Sequence, residues 1–187
     1  MGFSRQAHQS IEPYECRRTA TGPQFIAEHR PSKRPLPALA SAIRPLDVDI
    51  GYALQVLANE RLSQAGLGKA VGHQVGATNS VLQQRLCIPH PVAGEVFAAI
   101  VHQRNASLRH ADYVRPGIEC EVVVQLGQDL PPRSAPYSRD EVEAAIAACA
   151  AGMEIIDDRH EDVKPLGAPT LIADTVNLFS LFLPMSD

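Results

Sequence analysis

The chain has 187 residues, 45% hydrophobic and 20% charged, with a net charge of −4 and no tryptophan. That size and balance predict one soluble globular domain, and the small net charge excludes bulk electrostatic attraction to nucleic acid or to a membrane surface. The four cysteines, Cys16, Cys87, Cys120 and Cys149, have neither metal-site nor CxxC spacing, which points to reduced thiols in a cytoplasmic protein. The start lacks the apolar core of a secretory signal, and no apolar run approaches the ~20 residues of a membrane span.

Charge is uneven along the chain. Residues 1–46 hold seven Lys/Arg against three Asp/Glu, and six of the fifteen prolines. A basic, proline-rich start without periodicity predicts a loosely ordered arm over residues 1–35. Order is expected from "RPLDVDIGYALQVLANERLSQAGLG". Asp47 can cap a helix, Asp49 complements its dipole, and Ile50, Leu54 and Leu57 give one apolar face. Gly66 or Gly68 should end it. Lys69 to Val75 then reads as a short strand, followed by a helix opened by Thr78 or Ser80 and running to Leu86. Pro89 and Pro91 impose a loop, and Val96 to Val101 reads as another strand.

The strongest strand signal is "IECEVVVQLG", Ile118 to Gly127. Residues two apart share a strand face, so Glu119 and Glu121 point the same way, with Val123 and Gln125 beyond them. The valines on both faces predict a strand buried on both sides. "DLPPRSAPYS" follows as loop. Ser138 and Glu141 form a capping box opening a helix with the stripe Val142, Ala145, Ile146 and Cys149, ended by Gly152. "MEIIDD" then reads as a buried strand carrying Glu154. Strands and helices without a βαβ beat predict an α+β architecture.

Two like charges in an apolar strand repel and resist desolvation. A solvated strand face would tolerate the pair. A divalent cation would remove the cost, since hard cations take carboxylate oxygens. Glu154, 33 residues beyond Glu121, supplies a third carboxylate in an apolar stretch; its plainer reading is a helix-end glutamate paired with Arg159.

The segments "PLDVDIGYALQ", "VGHQVGATNSVLQQRL", "IECEVVVQLGQDL" and "AAGMEIIDDR" resemble, in that order, the 2-keto-4-pentenoate hydratases of the fumarylacetoacetate hydrolase superfamily. The 4-oxalocrotonate decarboxylases are near relatives, and the resemblance covers residues 36–174. It implies a mixed β-roll around an active site, and Mg²⁺ or Mn²⁺ held by Glu119, Glu121 and Glu154. It further implies a small 2-oxo acid substrate, with 2-hydroxypenta-2,4-dienoate hydrated to 4-hydroxy-2-oxopentanoate in the breakdown of aromatic compounds. Asp157 and Arg159 are candidates for holding those ligands in place. Members often form homo-oligomers.

The pattern is broken at three points. Gln74 stands where relatives carry the lysine of "GxKxG"; it can donate a hydrogen bond but brings no charge. His73 beside it should point to the other strand face. Pro91-Val92-Ala93-Gly94 lacks the aspartate of "PDxG". After Asp174 the pattern stops, which predicts a β-roll incomplete at its C-terminal end and residues 175–187 as a divergent apolar tail. Three readings follow: a metal-dependent hydratase, a decarboxylase of an oxo-dicarboxylic acid, or an impaired subunit that pairs with an intact paralogue.

Overall fold

The computed structural model describes residues 13–103, 106–161, 166–174 and 178–183, with the backbone alone for residues 13–20, 178 and 179. Among these residues the α-helices are α1 (Pro13–His29), α2 (Val48–Leu62), α3 (Ser80–Leu86), α4 (Arg139–Ala145) and α5 (Gly167–Ala173). Six strands are β1 (Ala70–Gly76), β2 (Val92–Phe97), β3 (Val101–Gln103), β4 (Pro116–Leu126), β5 (Ile146–Asp157) and β6 (Leu178–Leu183). They form an antiparallel pair, β1–β2, and a four-stranded mixed sheet in the order β3-β6-β5-β4. The α+β expectation is met in this form.

Several predicted boundaries hold for the predicted reasons. Asp47 caps α2, its carboxylate accepting from the Ile50 amide at 2.8 Å. Gly66 and Gly68, both at positive φ, carry the chain out of it. The capping box is complete: the Ser138 hydroxyl accepts from the Glu141 amide, and the Glu141 carboxylate from the Ser138 amide. The cap of α3 is instead Asn79, whose side chain accepts from the Leu82 amide. The strand read over Val96 to Val101 begins earlier, at Val92, and a 3₁₀ turn at Ala98–Ile100 separates β2 from β3.

Four expectations are corrected. Residues 13–35 are not a loose arm. Ile26 is fully buried in a cluster with Leu39, Leu54, Ala58 and Ala173, and Arg30 and Leu36 are buried too. The apolar stripe around Ile26 outweighs the proline content, and Pro23 sits inside the helix. Residues 1–12 of that segment lie outside the described residues. The helix opened by Ser138 ends at Ala145, and the alanine-rich run to Gly152 is strand β5. There, pairing with β4 overrides the helical preference of alanine. Most of β4 is exposed rather than buried on both sides. The apolar tail is no tail over residues 178–183: it is β6, parallel to β3 and antiparallel to β5.

Helix packing fixes the base of the molecule. A Cβ placed on Gly51 of α2 would stand 2.7 Å from the Pro169 carbonyl oxygen of α5, so only glycine allows the two helices to approach this closely. A buried ionic group lies nearby. Asp174 accepts from Arg159 through both carboxylate oxygens, faces His160 Nε2 at 3.2 Å, and through its carbonyl accepts from Arg30.

Candidate metal centre

β4 and β5 pair antiparallel, with Glu119 directly across from Glu154 and Glu121 across from Gly152. Directly paired residues project to the same sheet face, and residues two apart along a strand do likewise. The register therefore gathers Glu119, Glu121 and Glu154 on one face. Each offers a carboxylate oxygen within 4.8 Å of the others. Glu119 and Glu121 are exposed, whereas Glu154 is 7% exposed and forms the buried side of the group. Gly152 keeps the neighbouring spot tight: a Cβ there would meet Val123 Cγ2 at 2.6 Å and the Phe182 carbonyl oxygen at 3.2 Å.

The electrostatics are those of an uncompensated cluster. Burial pushes the Glu154 carboxyl up to about 7, and repulsion from Glu119 and then Glu121 adds to it. Among the described residues no ion pair involves any of the three glutamates. Three oxygen ligands of −3 formal charge, open on one side, suit a hard divalent cation better than a soft one. The two charges on the apolar strand β4 thus converge with a third.

Asp157 and Arg159 take other positions. Asp157 is three residues from Glu154 and so faces the opposite side of β5. It is buried and accepts from the amides of Val114, at 3.0 Å, and Arg115, at 2.7 Å, which fixes the chain as it enters β4. Arg159 is buried against Asp174. The helix-end pairing of Glu154 is replaced by a strand position, and Asp174 takes the guanidinium. Gln74 is half-buried on β1, across from Gly94, so it belongs to the other sheet. His73 alternates with it and is exposed.

Sequence reasoning gave no role to two polar groups. One is Arg30, His160 and Asp174, from three separate segments, gathered around Arg159, which the sequence alone assigns to the glutamates instead. The other is Ser180, whose hydroxyl lies 3.4 Å from both His102 Nε2 and the Tyr113 hydroxyl. Ser180 pairs with Ile155, which places it on the face away from Glu154.

No family model matches the chain. It is 26% identical over 137 residues to a 2-keto-4-pentenoate hydratase of Paraburkholderia phymatum, covering 73% of this chain and 51% of that protein. It is 30% identical over 129 residues to 2-keto-4-pentenoate hydratase 2 of Dechloromonas aromatica, covering 69% and 48%. A 4-oxalocrotonate decarboxylase from a Pseudomonas species is 29% identical over 109 residues, covering 58% and 41%. The chain thus spans about half the length of the curated relatives it matches. In fold it is similar to the 4-oxalocrotonate decarboxylase from Pseudomonas putida complexed with magnesium and adipate. The TM-score is 0.79 at 17% identity, over 92% of this chain and 63% of that one.

Proposed function

As a relative of the 2-keto-4-pentenoate hydratases and 4-oxalocrotonate decarboxylases, this chain is, we propose, a metal-dependent lyase-type protein acting on small 2-oxo acids. Hydration of 2-hydroxypenta-2,4-dienoate to 4-hydroxy-2-oxopentanoate is the reaction we assign it. The observation that carries this reading is the convergence of Glu119, Glu121 and Glu154 on one sheet face. We take the two sheets as the corresponding part of the relatives' mixed β-roll.

In this reading the three glutamates hold Mg²⁺ or Mn²⁺. A divalent cation supplies Lewis-acid stabilisation of the charge that develops on a 2-oxo acid. Glu119 and Glu121, being exposed, leave the substrate side open, and buried Glu154 anchors the other side. Asp157 acts at a distance, by fixing the entry of β4 and so the placement of Glu119 and Glu121. Gln74, at the family lysine position, can orient a substrate oxygen by hydrogen bonding but neither carries charge nor exchanges a proton. Activity is therefore expected to be low, with Gln74→Lys raising it by about 10²-fold if the charge is restored in a dry site.

A decarboxylase is the second reading, favoured by the structural neighbour. It needs a cationic group for a second carboxylate. An impaired subunit paired with an intact paralogue is the third.

Titration calorimetry with Mn²⁺ on the wild type and Glu121→Gln tests the metal assignment. We expect one site in the wild type, weakened in the variant by more than the ~10–100-fold that follows loss of a residue orienting a ligand. Equal binding by both proteins would refute the ligand set. Turnover of the dienol, compared with release of carbon dioxide from an oxo-dicarboxylic acid, then separates hydratase from decarboxylase, and no turnover of either favours the paired subunit.

A further inference from the structure

The β4–β5 ribbon runs beyond the rest of its sheet. Among the described residues β6 pairs only with the Met153–Ile156 stretch of β5, so from Val122 to Leu126 and from Ile146 to Gly152 the described sheet is two strands wide. Much of that part is exposed. Val122 is 76% exposed, with Val124 and Leu126 also open on its side and Gln125 and Ala148 on the other. A two-stranded ribbon is marginal in water, and three or more strands are needed for independent stability. The outer edge of β4 has no partner strand among the described residues. Its nine residues from Ile118 to Leu126 include no lysine or proline of the kind that blunts such edges.

We propose that a second copy of this chain occupies this edge, β4 pairing antiparallel with its own counterpart across a two-fold axis at Val122. The pattern of charge selects that register. An axis at Cys120 would set Glu119 against Glu121, and an axis at Glu121 would set that residue against itself; like charges directly opposite destabilise a strand pair. The axis at Val122 sets Glu119 opposite Gln125 and Glu121 opposite Val123. On the face away from the glutamates it sets Ile118 opposite Leu126 and Cys120 opposite Val124, apolar against apolar. All nine residues find a partner, and an isologous contact requires such self-complementarity. The Ile146–Gly152 stretch of β5 is a poorer candidate, because its Ala147, Ala148, Ala150 and Ala151 offer little side chain to pair. The result is a four-stranded ribbon, β5-β4-β4-β5, with both glutamate groups on one side.

Sedimentation equilibrium from about 1 to about 100 µM protein is the first experiment, on the wild type and Val122→Lys. The wild type should be a dimer, and Val122→Lys should weaken it at least about tenfold by placing two ammonium groups together on the axis. Val122 is exposed in the single chain, so the variant should keep its cooperative melt. Val122→Cys supplies a test that does not depend on that variant folding. Mild oxidation should join two chains through residue 122, located by digestion and mass spectrometry. A wild type that stays monomeric over the whole range overturns the proposal and leaves the edge to a different protein. So does a dimer that Val122→Lys leaves intact, or a disulfide in Val122→Cys that maps elsewhere.

Discussion

Glu154 sets the acid–base behaviour of the centre. Its carboxyl is ordinary at 4.5 when unfolded and held near 7 when folded. The native state therefore keeps a proton that the unfolded state releases, and stability falls as pH rises from about 4.5 to about 7. Glu154→Gln removes that penalty. Without metal, the variant should melt higher than the wild type at about pH 8 and equally at about pH 4, as thermal denaturation would show. On the proposed metal assignment, added cation should reverse the order, because the wild type gains more from binding. Binding there would displace the proton, so affinity should fall about tenfold per pH unit below about 7 and level off above it, a dependence that calorimetry reads directly. The convergence of the two β4 glutamates was legible from strand alternation alone. The buried partner was legible as a residue type in an apolar stretch, but its exact register against Glu119 depends on the hairpin.

At the scale of elements, the signals that survived were local and chemical: Asp47, the Ser138–Glu141 box, and the Gly66 and Gly68 exits. They are read from a few neighbouring residues and do not depend on tertiary context. The signals that misled were propensities. The run Ala147–Ala151 favours helix in isolation, yet it lies against β4, where Val122 to Val124 pair with Ala151 to Cys149. Proline and arginine in residues 13–35 suggested disorder, but Ile26 and Arg30 are anchored by partners on α2 and beyond α5 that no short window can see. The close crossing of α2 and α5 gives a direct test. Gly51→Ala would force its methyl onto the Pro169 backbone, which cannot yield as a side-chain tip would. We expect a loss of about 1–3 kcal/mol in chemical denaturation, against the gain that alanine normally brings to a helix interior.

The molecule as a whole is tied together by Asp174. Burial alone would raise its carboxyl, but Arg159, His160 and Arg30 outweigh burial and hold it down to about 2. Burial likewise pushes Arg30 down to about 10. Asp174 joins the segments that follow α1 and β5 to the end of α5: its carboxylate accepts from Arg159 and faces His160, and its main-chain carbonyl accepts from Arg30. Because its folded pKa is depressed below the ordinary 3.8, its contribution is complete above that value and lost as pH falls through about 2. Asp174→Ala leaves the buried Arg159 without its carboxylate partner, at a cost of about 3–5 kcal/mol. At about 2–4 °C per kcal/mol for a chain of this size, melting should drop by roughly 10 °C or more in a calorimetric scan.

The position of β6 governs the order of events in folding. It is the last of the described strands along the chain, yet it lies between β3 and β5, parallel to the first and antiparallel to the second. A nascent chain can close the β4–β5 hairpin early, since its strands are near in sequence. β3 must wait, unpaired, until residues 178–183 have been synthesised. Non-local parallel pairing of this kind is slow to form. Translation proceeds from the N-terminus, so the glutamate cluster can be assembled on its hairpin before the sheet around it is complete.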